Sequence, residues 1–268
     1  MVKIVFSDID GTFLTPENRV SERTEAAVKS LLSQGIPFVL VSARMPEAIY
    51  PITGKLGITI PIISYSGALV LTDAEKCLSS VVMEARDTRR ILEEIELRFP
   101  QVTVNYYAQR HWYVRDVMDD RVQTEVRITS AQAVQADFSE RLVAGELPNK
   151  LLIMADPSDC ERAEKELAQA FPMFHVVRSA AYLLEIMDKS VSKATGIEVM
   201  LRHFGLTAAE ALSFGDNYND LEMLRYTGRS VAMGNAPEDV KKAATDVTEA
   251  NTEDGIYRYL HRNGIITL

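Results

Sequence analysis

Ile4-Val5-Phe6-Ser7-Asp8-Ile9-Asp10-Gly11-Thr12 is the stretch that decides the fold of this chain. Its apolar run predicts a short buried strand, and two carboxylates follow at the end of that strand, where Gly11 lets the backbone turn. A second acidic turn, Gly215-Asp216-Asn217-Tyr218-Asn219-Asp220, follows another apolar run at residues 211–214. Two such turns are what a Mg²⁺-dependent phosphoryl-transfer site requires, because Mg²⁺ takes oxygen ligands and phosphate needs its charge neutralised.

The remaining sequence shows two different patterns of apolar residues. Up to about residue 83, and again from about residue 187, continuously apolar runs such as Phe38-Val39-Leu40-Val41 alternate with helical stretches, which is typical of a parallel sheet buried on both faces. Between them, alternating runs such as Val102-Thr103-Val104-Asn105-Tyr106-Tyr107 predict half-exposed antiparallel strands, and residues 132–143 predict a helix. The predicted fold class is α/β: a Rossmann-like, mostly parallel sheet core over residues 1–83 and 187–268, with an inserted α+β domain at 84–186.

Composition narrows the class of protein. The chain has 268 residues, 47% hydrophobic and 25% charged, which is ordinary for a globular protein. A net charge of -9 argues against nucleic acid as the main partner, which would need a basic face. Cys77 and Cys160 are too few for a disulfide framework, and neither a secretory leader nor a membrane-spanning run is visible. We therefore expect a cytoplasmic protein without nucleic-acid or membrane partners; a monomer is compatible with the sequence, which sets no oligomeric state.

Polar side chains recur where the predicted parallel strands end. Such ends meet at one edge of an open α/β sheet, and ligands bind there. Four features fall at these positions: Asp8 with Asp10, Ser42-Ala43-Arg44, Ser66-Gly67, and Asp216 with Asn219. Their coincidence in one layer indicates a single site more strongly than any one motif does.

Asp8 is the candidate nucleophile, and Asp10 the candidate general acid and base. A carboxylate can attack phosphorus and form an aspartyl-phosphate, which splits hydrolysis into two easier steps. Asp10, two residues on, can protonate the leaving alcohol and then activate water. The alternative is that both acids only build a turn with Gly11, since Asp-Gly pairs commonly form turns. The second carboxylate turn favours the catalytic interpretation.

Asp216 is the candidate for a further metal ligand. One or two carboxylates, a backbone carbonyl and the substrate suffice for Mg²⁺, which usually keeps several waters. The four histidines show no paired metal-ligand spacing, which disfavours zinc. Asn219 and Asp220 follow on the first turn of the next predicted helix, where each either orients a ligand or catalytic group or caps the helix.

Ser42 and Lys193 complete a candidate phosphate clamp. Ser42 offers a hydroxyl and nearby backbone N–H groups at the end of its strand, and Lys193 offers a point charge. A lone lysine is more often a solvated surface charge, and for Arg44 a structural ion pair is the alternative to substrate contact.

In this order, the motifs resemble the haloacid dehalogenase (HAD) superfamily and, within it, the Cof-like, type IIB phosphatases. Motifs one to four correspond to residues 8–12, Ser42, Lys193 and residues 215–220. The tail is similar to that subfamily as well: Val231-Ala232-Met233-Gly234-Asn235-Ala236, Val247-Thr248 and Asn251-x-x-Asp254-Gly255. The resemblance covers nearly the whole chain and implies a HAD-like core with a C2-type cap at residues 84–186, which closes over the site and selects the leaving group.

The resemblance also implies roles for individual residues. Asp8 is the nucleophile and Asp10 the acid and base, while the Asp8 carboxylate, the Asp10 backbone carbonyl and Asp216 hold Mg²⁺. The groups expected to hold phosphate are side chains and backbone amides of the same layer: Ser42, Lys193, Asn219 and the amides near Ile9 and Ala43. An acid at the position of Asp10 is typical of the superfamily's phosphatases and absent from its dehalogenases.

Three positions differ from the common family pattern. Ser42-Ala43-Arg44 stands where Thr-Gly-Arg is frequent, Ser66-Gly67 stands where Asn-Gly is common, and Ala194 stands where glycine often follows the motif-three lysine. None of these differences removes a catalytic group.

The expected function is Mg²⁺-dependent hydrolysis of a small phosphorylated metabolite, such as a sugar phosphate or related phosphomonoester. A phosphotransferase or phosphomutase shares the aspartyl-phosphate step. A phospho-acceptor regulatory domain shares the acids, hydroxyl and lysine, but it places its acceptor on a middle strand. In the cap, substrate contact or ordinary packing stays open for five side chains: Tyr106, Tyr107, Arg110, His111 and Trp112.

Overall fold

The computed structural model describes residues 1–267, which form two compact units. The first unit comprises Met1–Arg44, Ile52–Ser79 and the chain from Ser192 onward, and the second comprises Met45–Pro51 and Ser80–Val191. The first unit is therefore discontinuous, with most of the second inserted between its two halves.

Strands and helices alternate along most of the first unit, the exception being the successive strands just before the insertion. Before the insertion the elements are β1 (Ile4–Asp8), α1 (Glu22–Ser33), β2 (Phe38–Val41), α2 (Pro46–Lys55), β3 (Ile62–Ser64), β4 (Leu69–Leu71) and β5 (Cys77–Ser80). The inserted elements are α3 (Ala85–Arg98), β6 (Thr103–Ala108), β7 (His111–Val114), α4 (Asp120–Thr129), β8 (Val134–Gln135), α5 (Phe138–Val143), β9 (Lys150–Met154), α6 (Pro157–Ala170), β10 (Phe174–Ala180) and β11 (Leu183–Asp188). After it come α7 (Lys193–Phe204), β12 (Ala211–Gly215), α8 (Leu221–Tyr226), β13 (Arg229–Ala232), α9 (Glu238–Ala243), β14 (Asp246–Val247) and α10 (Gly255–Arg262).

The first sheet has the strand order β14-β13-β12-β1-β2-β3-β4-β5. Its strands are parallel from β14 to β3, whereas β4 runs antiparallel to β3. Register sets Asp8 beside Val41 and Ser7 beside Phe214. The ends of β1, β2 and β12 therefore reach the same edge of the sheet, and the motifs that follow them are neighbours in space.

Continuous apolar runs explain why these strands are central. Every residue of β1 and β2 is buried, as a strand covered on both faces must be. On one face, a core cluster joins Phe6 and Val39 to Ile197 and Met200 of α7. The α/β fold class predicted from the sequence is confirmed.

The second unit is built on a sheet with the order β10-β11-β9-β6-β7-β8. Neighbouring strands are antiparallel except β7 and β8, which are parallel. Its apolar core includes Ile91 of α3, Ile153 of β9 and Cys160 of α6. Tyr106 stacks on Phe138 within this core.

One predicted element of the second unit is wrong in its first half. Residues 134 and 135 form β8 instead of helix, and α5 begins only after Asp137, whose side chain accepts hydrogen bonds from the backbone N–H groups of Ser139 and Glu140. The preceding helix α4 had no counterpart in the prediction. Among residues 1–267, no helix is long and apolar enough to cross a bilayer.

Candidate active site

Three charged side chains meet in the interior at the edge where β1 and β12 end. Lys193, the first residue of α7, donates to Asp8 Oδ1 at 2.5 Å and to Asp220 Oδ1 at 2.6 Å. Asp8 is 5% exposed, Lys193 1% and Asp220 0%. A charge is this deeply buried only when partners compensate it, so Lys193 belongs to a built site instead of the solvated surface.

In this group of Asp8, Lys193 and Asp220, the two acids outnumber the single lysine. Burial disfavours the Lys193 ammonium, yet the carboxylates of Asp220 and Asp8 outweigh burial and raise its pKa. Burial raises the pKa of Asp8, Lys193 opposes the rise, and the nearby charges of Asp220 and Asp216 add to it. Lys193 therefore stays protonated, and the acids around it attract a further cation.

Asp220 makes contacts of both kinds that the sequence left open, to a charged side chain and to the cap of the turn. Its Oδ2 accepts hydrogen bonds from the backbone N–H groups of Asp216 at 2.9 Å and Asn217 at 3.0 Å, while its Oδ1 binds Lys193. Asp220 thus binds the lysine and also completes a capping box with Asn217 at the turn formed by residues 218–220.

Asp216 lies against the turn that follows β1. Its Oδ1 accepts a hydrogen bond from Thr12 Oγ1 at 2.8 Å. Gly11 has a φ of +87°, and a Cβ built on it would lie 2.3 Å from Asp216 Oδ2, so only glycine allows this approach. Burial raises the pKa of Asp216 to about 6, with the Thr12 hydrogen bond opposing and the charge of Asp220 reinforcing that rise.

The donor set fits a divalent metal ion. Carboxylate oxygens of Asp8, Asp216 and Asp220 all lie within 4.8 Å of one another, and hard oxygen donors of this kind suit Mg²⁺. Asp220 accepts three hydrogen bonds, one of them from the Lys193 ammonium. Asp216 accepts two and Asp8 one, so these two carboxylates have more acceptor capacity left for a cation.

Asp10 has a different environment although it is only two residues from Asp8. Its side chain is 54% exposed and forms a bidentate pair with Arg44, whose Nε and Nη2 lie 2.9 Å and 2.5 Å from the two carboxylate oxygens. Arg44 thus forms an ion pair, and its partner is the candidate acid and base.

Close backbone packing positions Lys193. Gly67 has a φ of +112°, and a Cβ there would lie 2.0 Å from the carbonyl oxygen of Ser192. Ser192 caps α7 by accepting a hydrogen bond from the Thr195 backbone N–H. Ser66-Gly67 therefore serves to bring the start of α7, with Lys193, against the end of β3.

The remaining predicted residues occupy the same layer. Ser42 is buried directly after β2, and its Oγ accepts a hydrogen bond from the Arg44 backbone N–H at 3.1 Å. Ile9 is buried after β1, Ala43 is half-buried, and Asn219 is exposed on the turn at residues 218–220. Thr12 lies in the first motif, but the sequence predicts no role for it. Its hydrogen bond to Asp216 could not be predicted, because nothing in the spacing of the motifs indicates this contact.

Three of the aromatic side chains in the second unit for which substrate contact stayed open are buried. These are Tyr106, Tyr107 and Trp112, and Trp112 Nε1 donates to Asn105 Oδ1 at 2.9 Å. His111 is exposed.

Comparison with known proteins gives a consistent relationship over the full chain. The family model of haloacid dehalogenase-like hydrolases matches residues 5–260. A Haemophilus influenzae relative, provisionally named a phosphatase, is 38% identical over 96% of this chain and 96% of its own length. A haloacid dehalogenase-like hydrolase from Bacteroides thetaiotaomicron superposes with a TM-score of 0.87 at 29% identity, covering 98% of this chain and all of that one.

A further solved structure carries a functional description. It is a HAD subclass IIB sugar phosphatase, 26% identical, with a TM-score of 0.81, covering 99% of this chain and 100% of that one. Together with the matched family model, these relatives show that the chain belongs to the haloacid dehalogenase-like hydrolases.

Proposed function

We propose that this chain is a Mg²⁺-dependent phosphatase that hydrolyses small phosphorylated metabolites through an aspartyl-phosphate on Asp8. The observation that supports this most directly is the buried Asp8 carboxylate, hydrogen-bonded to Lys193 and clustered with Asp216 at the end of a parallel strand. Nucleophile, fixed positive charge and metal-binding oxygens are thereby present within a few ångströms of one another.

In the first step, an oxygen of Asp8 attacks phosphorus, and the bond from phosphorus to the leaving oxygen breaks. Asp10 donates a proton to that oxygen, so the product leaves as a neutral alcohol. Because the Asp10 carboxylate is held by Arg44 in this structure, it must leave that partner and take up a proton from solvent as substrate binds, before it can donate to the leaving oxygen.

In the second step, the aspartyl-phosphate is hydrolysed. Asp10, now ionised, takes a proton from water as the water oxygen attacks phosphorus, and the bond to Asp8 breaks. Inorganic phosphate leaves, Asp8 is again a carboxylate, and Asp10 is again protonated. Atoms and charges therefore balance over one turnover.

Asp8, the Asp10 backbone carbonyl and Asp216 are the groups we assign to Mg²⁺. When bound, the ion neutralises the phosphoryl oxygens and removes the repulsion between them and the anionic nucleophile. Lys193 supplies fixed positive charge, and it is joined in holding the phosphoryl group by Ser42, Asn219 and the amides near Ile9 and Ala43.

One of the solved structures supports a substrate class. The sugar phosphatase among the solved structures supports a sugar phosphate or a related phosphomonoester as substrate. We further assign residues 84–186 as a C2-type cap domain and residues 1–83 and 187–268 as the catalytic core.

Phosphate release from a panel of sugar phosphates and other phosphorylated metabolites, with Mg²⁺ and with EDTA, tests this function. We expect sustained, Mg²⁺-dependent release from several members of the panel. Slow phosphate release, with the phosphoryl donor consumed rapidly only when a sugar acceptor is added, would indicate a phosphotransferase or mutase instead. A phosphoenzyme that persists for minutes would indicate a regulatory domain.

A further inference from the structure

Asn235, in the loop after β13, joins three segments around the site. Its Nδ2 donates to the Gly11 carbonyl oxygen at 2.9 Å and lies 3.4 Å from Asp216 Oδ2. Its Oδ1 accepts a hydrogen bond from the Asn251 backbone N–H at 3.1 Å. One side-chain amide thus connects the turn after β1, the acidic turn after β12 and the loop before α10.

Asn251 makes a second connection to the turn after β1. Its Nδ2 donates to the Leu14 carbonyl oxygen at 2.7 Å. Within that turn, the backbone N–H groups of Phe13 and Leu14 donate to the Ile9 carbonyl oxygen at 3.0 Å and 2.9 Å. The two asparagines therefore fix a turn that is already tightly closed, at Gly11 and at Leu14.

The contacts of Asn235 lie next to two of the proposed Mg²⁺ ligands. Under the proposed function, the Asp10 carbonyl and the Asp216 carboxylate bind the same Mg²⁺, but they belong to different loops. Asn235 touches Gly11, the residue directly after Asp10, and also touches Asp216. The separation between the two proposed ligands is therefore set in part by this amide, and Mg²⁺ tolerates little departure from octahedral geometry.

We propose that Asn235 is a positioning residue for the divalent cation and that Asn251 anchors it. This role rests on the metal site of the proposed function. Asn235 contacts the segments that carry the proposed ligands, and we assign it no chemical step. Hydrogen-bond partners behind metal ligands commonly change metal affinity by about 10- to 100-fold when they are removed.

A purely structural role for Asn235 predicts a different result. The side chain is exposed, and water can replace most of what an exposed amide contributes to folding. If Asn235 only joined loops, its removal would therefore lower stability slightly and leave Mg²⁺ affinity unchanged. If Asn235 positions the ligands, its removal changes Mg²⁺ affinity in a protein that stays folded.

Calorimetric titration of the full chain with Mg²⁺, without substrate, tests the proposal. The variants are Asn235→Ala, Asn251→Ala and the matched control Asn263→Ala. Asn263 also makes two side-chain hydrogen bonds, to Arg229 and to the Tyr259 carbonyl oxygen, but it lies at the end of α10 away from the acids. Asp216→Ala identifies which binding isotherm belongs to the site.

We expect the dissociation constant for Mg²⁺ to rise about 10-fold or more in Asn235→Ala, about 3-fold in Asn251→Ala, and less than about 2-fold in the control. The Mg²⁺ concentration for half-maximal phosphate release should rise in the same proportion, while kcat at saturating Mg²⁺ changes by less than about 3-fold.

An unchanged dissociation constant in folded Asn235→Ala would overturn the positioning role and leave the proposed function standing. If Asn235→Ala does not fold, Asn251→Ala decides. It keeps the Asn235 side chain and the backbone N–H that donates to it, but it removes the side-chain bond to Leu14 that holds this loop against the turn after β1. Unchanged affinity there overturns the role. Wild-type protein that binds no Mg²⁺ would overturn the metal site itself, and the role of Asn235 with it.

Discussion

Each unit of this molecule buries a lysine, and the two lysines have different surroundings. Lys193 in the first unit is 1% exposed and lies 2.5 Å and 2.6 Å from two carboxylates. Lys150 in the second unit is 5% exposed, lies 3.7 Å from Glu185, and has its Nζ over the Tyr107 ring at 5.3 Å. Burial of a cation is common to both, so burial by itself does not mark a catalytic group.

The two lysines differ in the number of acidic side chains that the fold places around them. Lys150 and Glu185 lie on strands of one largely antiparallel sheet, where a buried opposite-charge pair neutralises itself. Around Lys193, parallel strands end at one edge and supply more acids than the lysine can neutralise. An excess of negative charge in the interior is costly unless a ligand compensates it, which is why such clusters occur at functional sites.

Removing the nucleophile should give the largest effect. Asp8→Asn keeps the shape of the side chain and a hydrogen-bond acceptor for Lys193, but an amide cannot form an aspartyl-phosphate. We expect phosphate release to fall by about four orders of magnitude or more, with an unchanged far-UV circular dichroism spectrum. Asp73→Asn, in the exposed turn between β4 and β5, is the control and should keep full activity. Appreciable turnover by Asp8→Asn would falsify the assignment of the nucleophile.

Replacing each lysine by methionine compares the two units directly. Lys193→Met leaves Asp8 and Asp220 without their shared partner and should lower the free energy of unfolding by about 3 kcal/mol. Lys150→Met removes a longer ion pair and should cost roughly 1 kcal/mol. Urea denaturation at pH 7.5 without Mg²⁺ measures both. Equal losses would mean that the acids around Lys193 do not repel one another as their burial implies.

Removing Asp216 should change the requirement for metal more than it changes the fold. We expect Asp216→Ala to raise the Mg²⁺ concentration for half-maximal phosphate release by about 10- to 100-fold or more, because the ion loses one protein ligand. A Mg²⁺ titration of activity measures this shift, with Asp73→Asn again as the control. A titration curve identical to that of the wild type would remove Asp216 from the site.

The pH dependence of Mg²⁺ binding should give the smallest effect. Burial raises the pKa of Asp216 to about 6 in the metal-free protein, so protons compete with the cation below that pH. We expect Mg²⁺ affinity to be constant above pH 7 and to weaken about 5-fold between pH 6 and pH 5.

The same group links pH to stability without metal. A carboxyl whose pKa is raised by folding holds its proton more tightly in the native state, so its contribution to stability is lost as the pH rises from about 4 to about 6. Asp216→Asn should remove this slope, as measured by urea denaturation across that range. A slope that persists in the variant would assign it to another group.

Much of the first unit could be predicted from the sequence because its signals are local and continuous. The runs at residues 4–6, 38–41 and 211–214 lie in β1, β2 and β12, since a strand buried on both faces needs apolar residues at every position. Strand ends then placed Asp8, Ser42 and Asp216 in one layer.

The second unit was harder to predict because its elements depend on partners distant in sequence. Helix α4 fully buries only Val122, and its apolar residues are just Val122, Val126 and Ile128, which is a weak sequence signal for a helix. The stretch at residues 134–135 is extended because it pairs with β7, which no local pattern records. Asp220 could not be assigned for a similar reason: its partner Lys193 lies 27 positions away.

The insertion also determines the order in which the two units can fold while the chain is synthesised on the ribosome. The pairing of Asp8 with Lys193 joins residues 185 positions apart, and β1 has β12 as one of its two neighbours. When residue 191 has been synthesised, every strand of the second unit exists, but β1 still lacks a partner along one side. We therefore expect the inserted unit to fold first, while the nascent amino-terminal strand exposes an unpaired apolar edge that chaperones can recognise.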